Sequence, residues 1–164
     1  MLDITESSIT FEAIYSSEYV PNDPSIKEAN LLIIPYHNYR PDVEYCFGEY
    51  SEEFFRYIKD NASEELCADI AIDDEKYQCT EMHSLLLDIG KFIVCNVVLG
   101  FAINLLSSFV YDKIKRMHEK KERVNVRVEI IAQNSDGSST SLKFDGPASK
   151  FESVKDAAER IIEK

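Results

Sequence analysis

The chain has 164 residues, 45% hydrophobic and 11% aromatic, which is enough for a packed core and too apolar for a disordered polypeptide. Its formal net charge is −12. An acidic chain lacks the basic stripe that neutralises phosphates, so no nucleic-acid partner is expected. The charge is uneven: residues 1–81 hold 19 acidic and 5 basic side chains, residues 82–123 hold 4 and 7, and residues 124–164 hold 7 and 6.

The start, MLDITESSITFE, has no basic segment leading into an apolar one, so no secretion signal is expected. Reduced thiols at Cys46, Cys67, Cys79 and Cys95 follow, and no pair has the C-x-x-C spacing of a zinc or redox site. SITFEAIY (8–15) alternates at Ile9, Phe11, Ala13 and Tyr15, the pattern of a strand. SSEYVPNDPS (16–25) reads as a loop, and ANLLIIPY (29–36) as a buried strand ended by Pro35. HNYRPD (37–42) reads as a second loop, followed by a short strand over VEYCFGEY (43–50). Ser51 is placed to cap a helix over 52–61, with Glu52 and Glu53 in the first turn, where the helix dipole favours anions. ELCADIAIDDE (65–75) alternates as a strand with one wet face.

From a cap at Thr80, helical pattern runs to about Lys121 with only Gly90 and Gly100 as interruptions. Some 40 residues of helix would reach about 60 Å, whereas a compact domain of this size is about 40 Å across. Such a helix must break, protrude or cross something. Its core, FIVCNVVLGFAINLLSSFVY (92–111), is uncharged and long enough to span a bilayer. Lys113, Lys115, Arg116, Lys120, Lys121 and Arg123 follow it, a cluster suited to lipid head groups or other anions. By the positive-inside rule that end would face the cytoplasm, which leaves an acidic, unled domain outside. Asn96, Gly100, Asn104 and Ser108 recur at four-residue steps and continue the row Ser84, Asp88 and Asp112, broken only at Phe92. In lipid such a stripe is a helix–helix contact face. In a soluble fold it is the strip that meets water or a polar neighbour. Either way it is expected to avoid apolar core.

VNVRVEII (124–131) alternates clearly, Asp136-Gly137 marks a turn, and TSLKF (140–144) returns as a second strand. Ser149-x-x-Glu152 has the form of a capping box, followed by the apolar stripe Phe151, Val154, Ala157, Ala158, Ile161 and Ile162. The fold class expected is α+β. A small N-terminal mixed sheet with one helix (1–80) precedes a long apolar helix with a basic end (81–121) and a ββα unit (122–164).

No metalloprotease, phosphate-loop or nucleophile-elbow pattern occurs, so no catalytic, cofactor or metal residues are assigned. His37, Asp42 and Cys46 would form a nucleophile set only if the loop gathered them. Asp69, Asp73, Asp74 and Glu75 fit no calcium-loop spacing.

The order of an apolar glycine-containing helix (VVLGFAINLLSSFVYDKIK), a basic joint (EKKER), a hairpin (VNVRVEI…DGSSTSLKFDG) and a short helix resembles the effector-associated constant component domains. These are non-catalytic accessory modules of bacterial conflict systems. The likeness covers residues 84–164 and implies a non-enzymatic accessory or adaptor protein, cytoplasmic or associated with the inner membrane, working through a protein partner or self-association. Two further readings are a soluble homo-oligomer with the 92–111 helix as core and an acidic inhibitor that imitates nucleic acid.

Overall fold

The computed structural model describes residues 1–72, 78–79 and 85–162. One mixed sheet organises them, with strand order β1-β8-β7-β6-β2-β5. Its strands are β1 (Leu2–Ser7), β2 (Leu31–Ile34), β5 (Ala68–Ile70), β6 (Leu86–Cys95), β7 (Asn125–Gln133) and β8 (Ser139–Pro147). A separate two-stranded ladder joins β3 (Tyr36–Arg40) to β4 (Val43–Cys46). The helices are α1 (Phe11–Tyr15), α2 (Pro24–Glu28), α3 (Ser51–Asn61), α4 (Leu99–Met117) and α5 (Glu152–Ile161). The α+β class and the long apolar helix are present, and the sheet draws strands from all three regions of the sequence.

The expected 40-residue helix breaks in the middle. Residues 86–95 are not helical but form β6, and α4 begins only after a 3-10 turn at Asn96–Val98. β6 lies parallel to β7, and parallel neighbours need a crossover connection, usually a helix. α4 is that crossover. The uncharged run 92–111 is therefore shared between the end of a central strand and a packed helix.

A bulge explains why β6 shows no strand pattern in sequence. The register with β7 shifts between Asp88 and Gly90, and Gly90 has φ +93°, which glycine adopts without strain. Leu87 and Ile89 then share a face with Phe92 and Val94. The bulge turns one spacing of two into a spacing of three, so 87, 89, 92, 94 keeps no continuous period of two.

Other departures are local. Residues 8–15 do not make a strand. Thr10 caps α1 by accepting the Ala13 amide at 3.1 Å, and Phe11 and Ile14 are buried one turn apart. The N-terminal strand is instead β1, which is mostly exposed and whose alternation is confined to Leu2 and Ile4. Residues 37–40 belong to β3 rather than to a loop, with Asn38 in the left-handed region at φ 55°. Ser51 is the first residue of α3 rather than its cap, and its buried hydroxyl donates to the Ile89 carbonyl at 2.7 Å. The capping box does not form: Ala148–Lys150 is a 3-10 turn, and Ser149 makes no side-chain cap to α5. Residues 73–75 and the cap position Thr80 lie outside the described residues, as do Glu81, His83 and Ser84.

α3, α4 and α5 cover one sheet face. Phe54, Phe92 and Phe109 meet there with ring centroids 5.4–5.6 Å apart, the tilted spacing that aromatic pairs favour. α1 and α2 cover only part of the other face, packing Phe11, Ile14 and Ile26 onto Leu32, Ile34, Ile93 and Ile131. The rest of that face is polar.

Candidate interaction surfaces

α4 buries Leu99, Ala102, Ile103, Leu106, Phe109, Val110 and Ile114 against the sheet. These positions recur at three- and four-residue steps, so one stripe faces inward and the opposite one faces out. The outward side carries Val97 and Phe101, 71% and 48% exposed, with exposed Asn104 and half-buried Leu105 beside them. Phe101, Asn104 and Leu105 also line a hollow of about 210 Å³ against Ala62 and Leu66. By length and composition alone, Asn96–Met117 would suffice to cross a membrane.

The four-step stripe has two fates. Asn104 and Ser108 are exposed on α4, and a Cβ on Gly100 would lie 3.8 Å from Ile162 after α5. Asn96 is buried before the helix starts, and its amide donates to Asn134 Oδ1 and to the Ile161 carbonyl, both at 2.7 Å. That second bond satisfies one of the carbonyls left open at the end of α5. Asp88, which the same row places on a helix, lies in β6.

The basic residues after the apolar run do not form one free patch. Lys113 bonds Glu53 at 2.7 Å and sits 4.9 Å from the Tyr50 ring. Lys121 lies 4.2 Å over the Tyr111 ring, and Arg123 pairs with Glu119 at 4.0 Å. Lys115, Arg116 and Lys120 are exposed. Arg116 and Lys113 share a cleft of about 410 Å³ between α3 and α4 with Glu53, Asp60 and Asp112. The cleft is thus mixed in charge, and burial followed by the Asp112 charge raises the pKa of Tyr57 on its wall.

On the uncovered part of the opposite sheet face, charges alternate along two rows. Asp88, Arg127 and Asp145 stand side by side on β6, β7 and β8, as do Lys91, Glu129 and Lys143. Arg127 lies 3.8 Å from Asp88 and 3.4 Å from Asp145, and Glu129 lies 3.9 Å from Lys91 and 3.8 Å from Lys143. Asp88 is 2% exposed and accepts the Tyr36 hydroxyl at 2.7 Å. Burial and then the Asp88 charge push the Tyr36 phenol well above its ordinary value. Burial works against the Arg127 charge, but Asp145 and Asp88 outweigh it and raise the guanidinium. A Cβ on Gly48 would fall 2.6 Å from the Asp88 carbonyl oxygen, which also accepts the Tyr50 amide at 2.9 Å. Glycine at 48 is what lets the start of α3 dock on the bulge. In sequence Asp88 looked like a helix-surface residue, and only the bulge shows that it points into a polar cluster.

The nucleophile set does not assemble. His37 pairs with Tyr45 and Tyr36 with Cys46, so alternation puts His37 and Cys46 on opposite faces of the ladder. His37 stacks on Tyr45 at 5.0 Å. Cys46 is buried, its thiol donates to the Phe47 carbonyl at 3.6 Å, and burial raises its pKa. Asp69 accepts the Ser25 hydroxyl at 2.7 Å. No protein-family model, curated protein or solved structure matches the chain.

Proposed function

We propose that the protein is a non-enzymatic binding module, an accessory or adaptor protein, in which α4 is a packed crossover helix and its outer strip is the contact surface for a protein partner. The exposure of Val97 and Phe101 carries this reading. Phe101 and Leu105 are one helical step apart, the spacing of anchors on one helix face, and Val97 precedes them in the 3-10 turn. Large apolar side chains grouped on a surface mark contact sites more often than isolated ones do.

Membrane insertion of α4 fits the geometry less well. Its departure would uncover Phe92, Val94, Val126, Val128 and Ile130 on the sheet, each worth roughly 1.5–3 kcal/mol when buried. The nucleic-acid-mimic reading needs carboxylates gathered on one face. Among the described residues, Glu12 and Glu28 instead ride on α1 and α2 on one side of the sheet, and Glu52, Glu53 and Asp60 on α3 on the other. The defence-system role implied by the resemblance belongs to the same proposal and rests on the order of elements alone.

A photo-crosslinking residue at position 101, compared with one at exposed Lys59, tests the reading in cells. The expected result is a discrete protein adduct at 101 that disappears with Val97→Asp. That substitution, on an exposed site, should change stability by no more than about 0.5 kcal/mol. Equal labelling from both positions, or adducts to lipid alone, would reject the partner surface.

A further inference from the structure

β1 ends the sheet, and its outer edge has no strand partner among the described residues. Its pairing with β8 runs from Leu2–Phe144 to Ser7–Ser139 with no shift of register. Met1 and Asp145 exchange backbone hydrogen bonds across that pair. In an antiparallel ladder such pairs alternate with pairs that do not bond each other. Asp3, Thr5 and Ser7 therefore bond β8, and the N–H and C=O groups of Leu2, Ile4 and Glu6 point outward. Natural edges are blunted by bulges, prolines, lysines or brevity. This edge is six residues long with no bulge, proline or lysine, and the charges it carries, Asp3 and Glu6, are both acidic. The opposite edge strand, β5, is only three residues long.

Side chains along β1 indicate what would add to it. Leu2 and Ile4 project to the α5 side and Asp3 to the other. Ile4 is 43% exposed. The inner neighbour already meets these rows with Leu142, Lys143 and Phe144, setting Lys143 opposite Asp3 between two apolar pairs. Beside the strand, Leu2, Phe144, Pro147, Lys150, Glu152 and Asp156 line a cavity of about 580 Å³. Asp3, Glu6, Glu152 and Asp156 outnumber Lys143, Lys150 and the Met1 ammonium, and Lys143 also lies 3.8 Å from Glu129, so the field along this edge favours a cation. A second copy fits poorly, because the antiparallel registers open to this edge pair Leu2, Ile4 and Glu6 among themselves and so set either Asp3 against Asp3 or an apolar side chain against Glu6.

We propose that the outer edge of β1 is a strand-addition site for an extended segment of a partner chain in which a lysine or arginine lies between two apolar residues. Backbone bonds to Leu2, Ile4 and Glu6 supply the affinity, as in other strand-addition complexes. One apolar side chain enters the cavity beside Leu2, the other covers Ile4, and the cation pairs with Asp3. The site is separate from the α4 strip and does not depend on it.

The probe is a capped, fluorescein-labelled pentapeptide, Thr-Ser-Leu-Lys-Phe, followed by anisotropy with the full chain. Saturable binding is expected, weakened about tenfold or more by Asp3→Lys, by glutamate in place of the peptide's lysine, and by Ile4→Pro. Ile4→Pro removes one outward N–H and spares the bonds to β8, while Ile4→Val should bind as the parent does. If Ile4→Pro does not fold, N-methylation of alternate peptide amides removes the same bonds from the other side. No saturable binding below about 1 mM would overturn the proposal. So would affinity untouched by Ile4→Pro or by N-methylation, the result of exchange with β8. A dimer in sedimentation that Ile4→Pro dissolves would assign the edge to a second copy instead.

Discussion

The two faces of the sheet solve the problem of burial differently, although the same strands build both. On β7, Val126, Val128 and Ile130 point to the helix-covered face and are fully buried, while Arg127 and Glu129 point the other way into paired charges. Under α3, α4 and α5 the face is held by apolar area, which is non-directional and tolerant of small shifts. The open part of the opposite face is held by directional pairs, where the partner of each charge matters more than the area covered. Alternation along the strands makes this division possible, and the bulge at Asp88–Gly90 lets β6 place Asp88 on the charged side and still deliver Phe92 and Val94 to the apolar one.

The comparison breaks most visibly in the apolar layer. Phe54→Ala removes a fully buried ring that contacts both Phe92 and Phe109. It should cost about 3–5 kcal/mol, read as a lower urea midpoint with an unchanged m-value. On the charged face the largest single effect is expected at Asp88. Asp88→Ala strands the Tyr36 hydroxyl and one side of Arg127, at a cost of about 1–3 kcal/mol, less than the ring because Arg127 keeps Asp145. Asp88→Asn preserves an acceptor for Tyr36 and should cost less than Asp88→Ala. Equal losses for the two would show that the Tyr36 bond contributes nothing.

The smallest effect is a dependence on pH. Tyr36 has a raised pKa in the folded protein, so it holds its proton where the unfolded chain has lost it. The unfolded state then binds fewer protons, and stability falls as pH rises. The contribution is complete below the ordinary tyrosine value of 10.0 and declines above it. Thermal melts across the alkaline range should show this decline, and Tyr36→Phe should flatten it. An unchanged slope in Tyr36→Phe would assign the alkaline loss to other tyrosines.

Legibility in the sequence followed locality. β7, the Asp136-Gly137 turn, β8 and the apolar stripe of α5 were readable because each is specified by neighbours within a few residues: alternation, a turn dipeptide, a helical repeat. β2 was readable because Leu31–Ile34 is a short apolar run stopped by Pro35. β1 was not, since a mostly exposed edge strand carries only Leu2 and Ile4 as an apolar pattern, too short to mark a strand. β6 is hidden because its bulge shifts the alternation by one residue, so no period of two runs the length of the strand. On the contact surfaces, Asn104 and Ser108 of the four-step row are exposed, whereas Asn96 is buried and Gly100 half-buried. Val97 and Phe101 were hidden inside an apolar run whose inward and outward members look alike until the sheet is in place.

Alone, the amino-acid sequence determined the class of the fold, the apolar helix with its basic end, the C-terminal hairpin and its covering helix, and the acidity of the first half. These depend on composition and on periods of two or 3.6 residues, which local chemistry sets. Tertiary structure decided that the uncharged run divides into a central strand and a crossover helix, that Asp88 is buried beside Tyr36 and Arg127, and that β1 closes the sheet with an open edge. Each of these depends on which strand lies next to which, and pairing between residues far apart in the chain leaves no periodic mark on either partner.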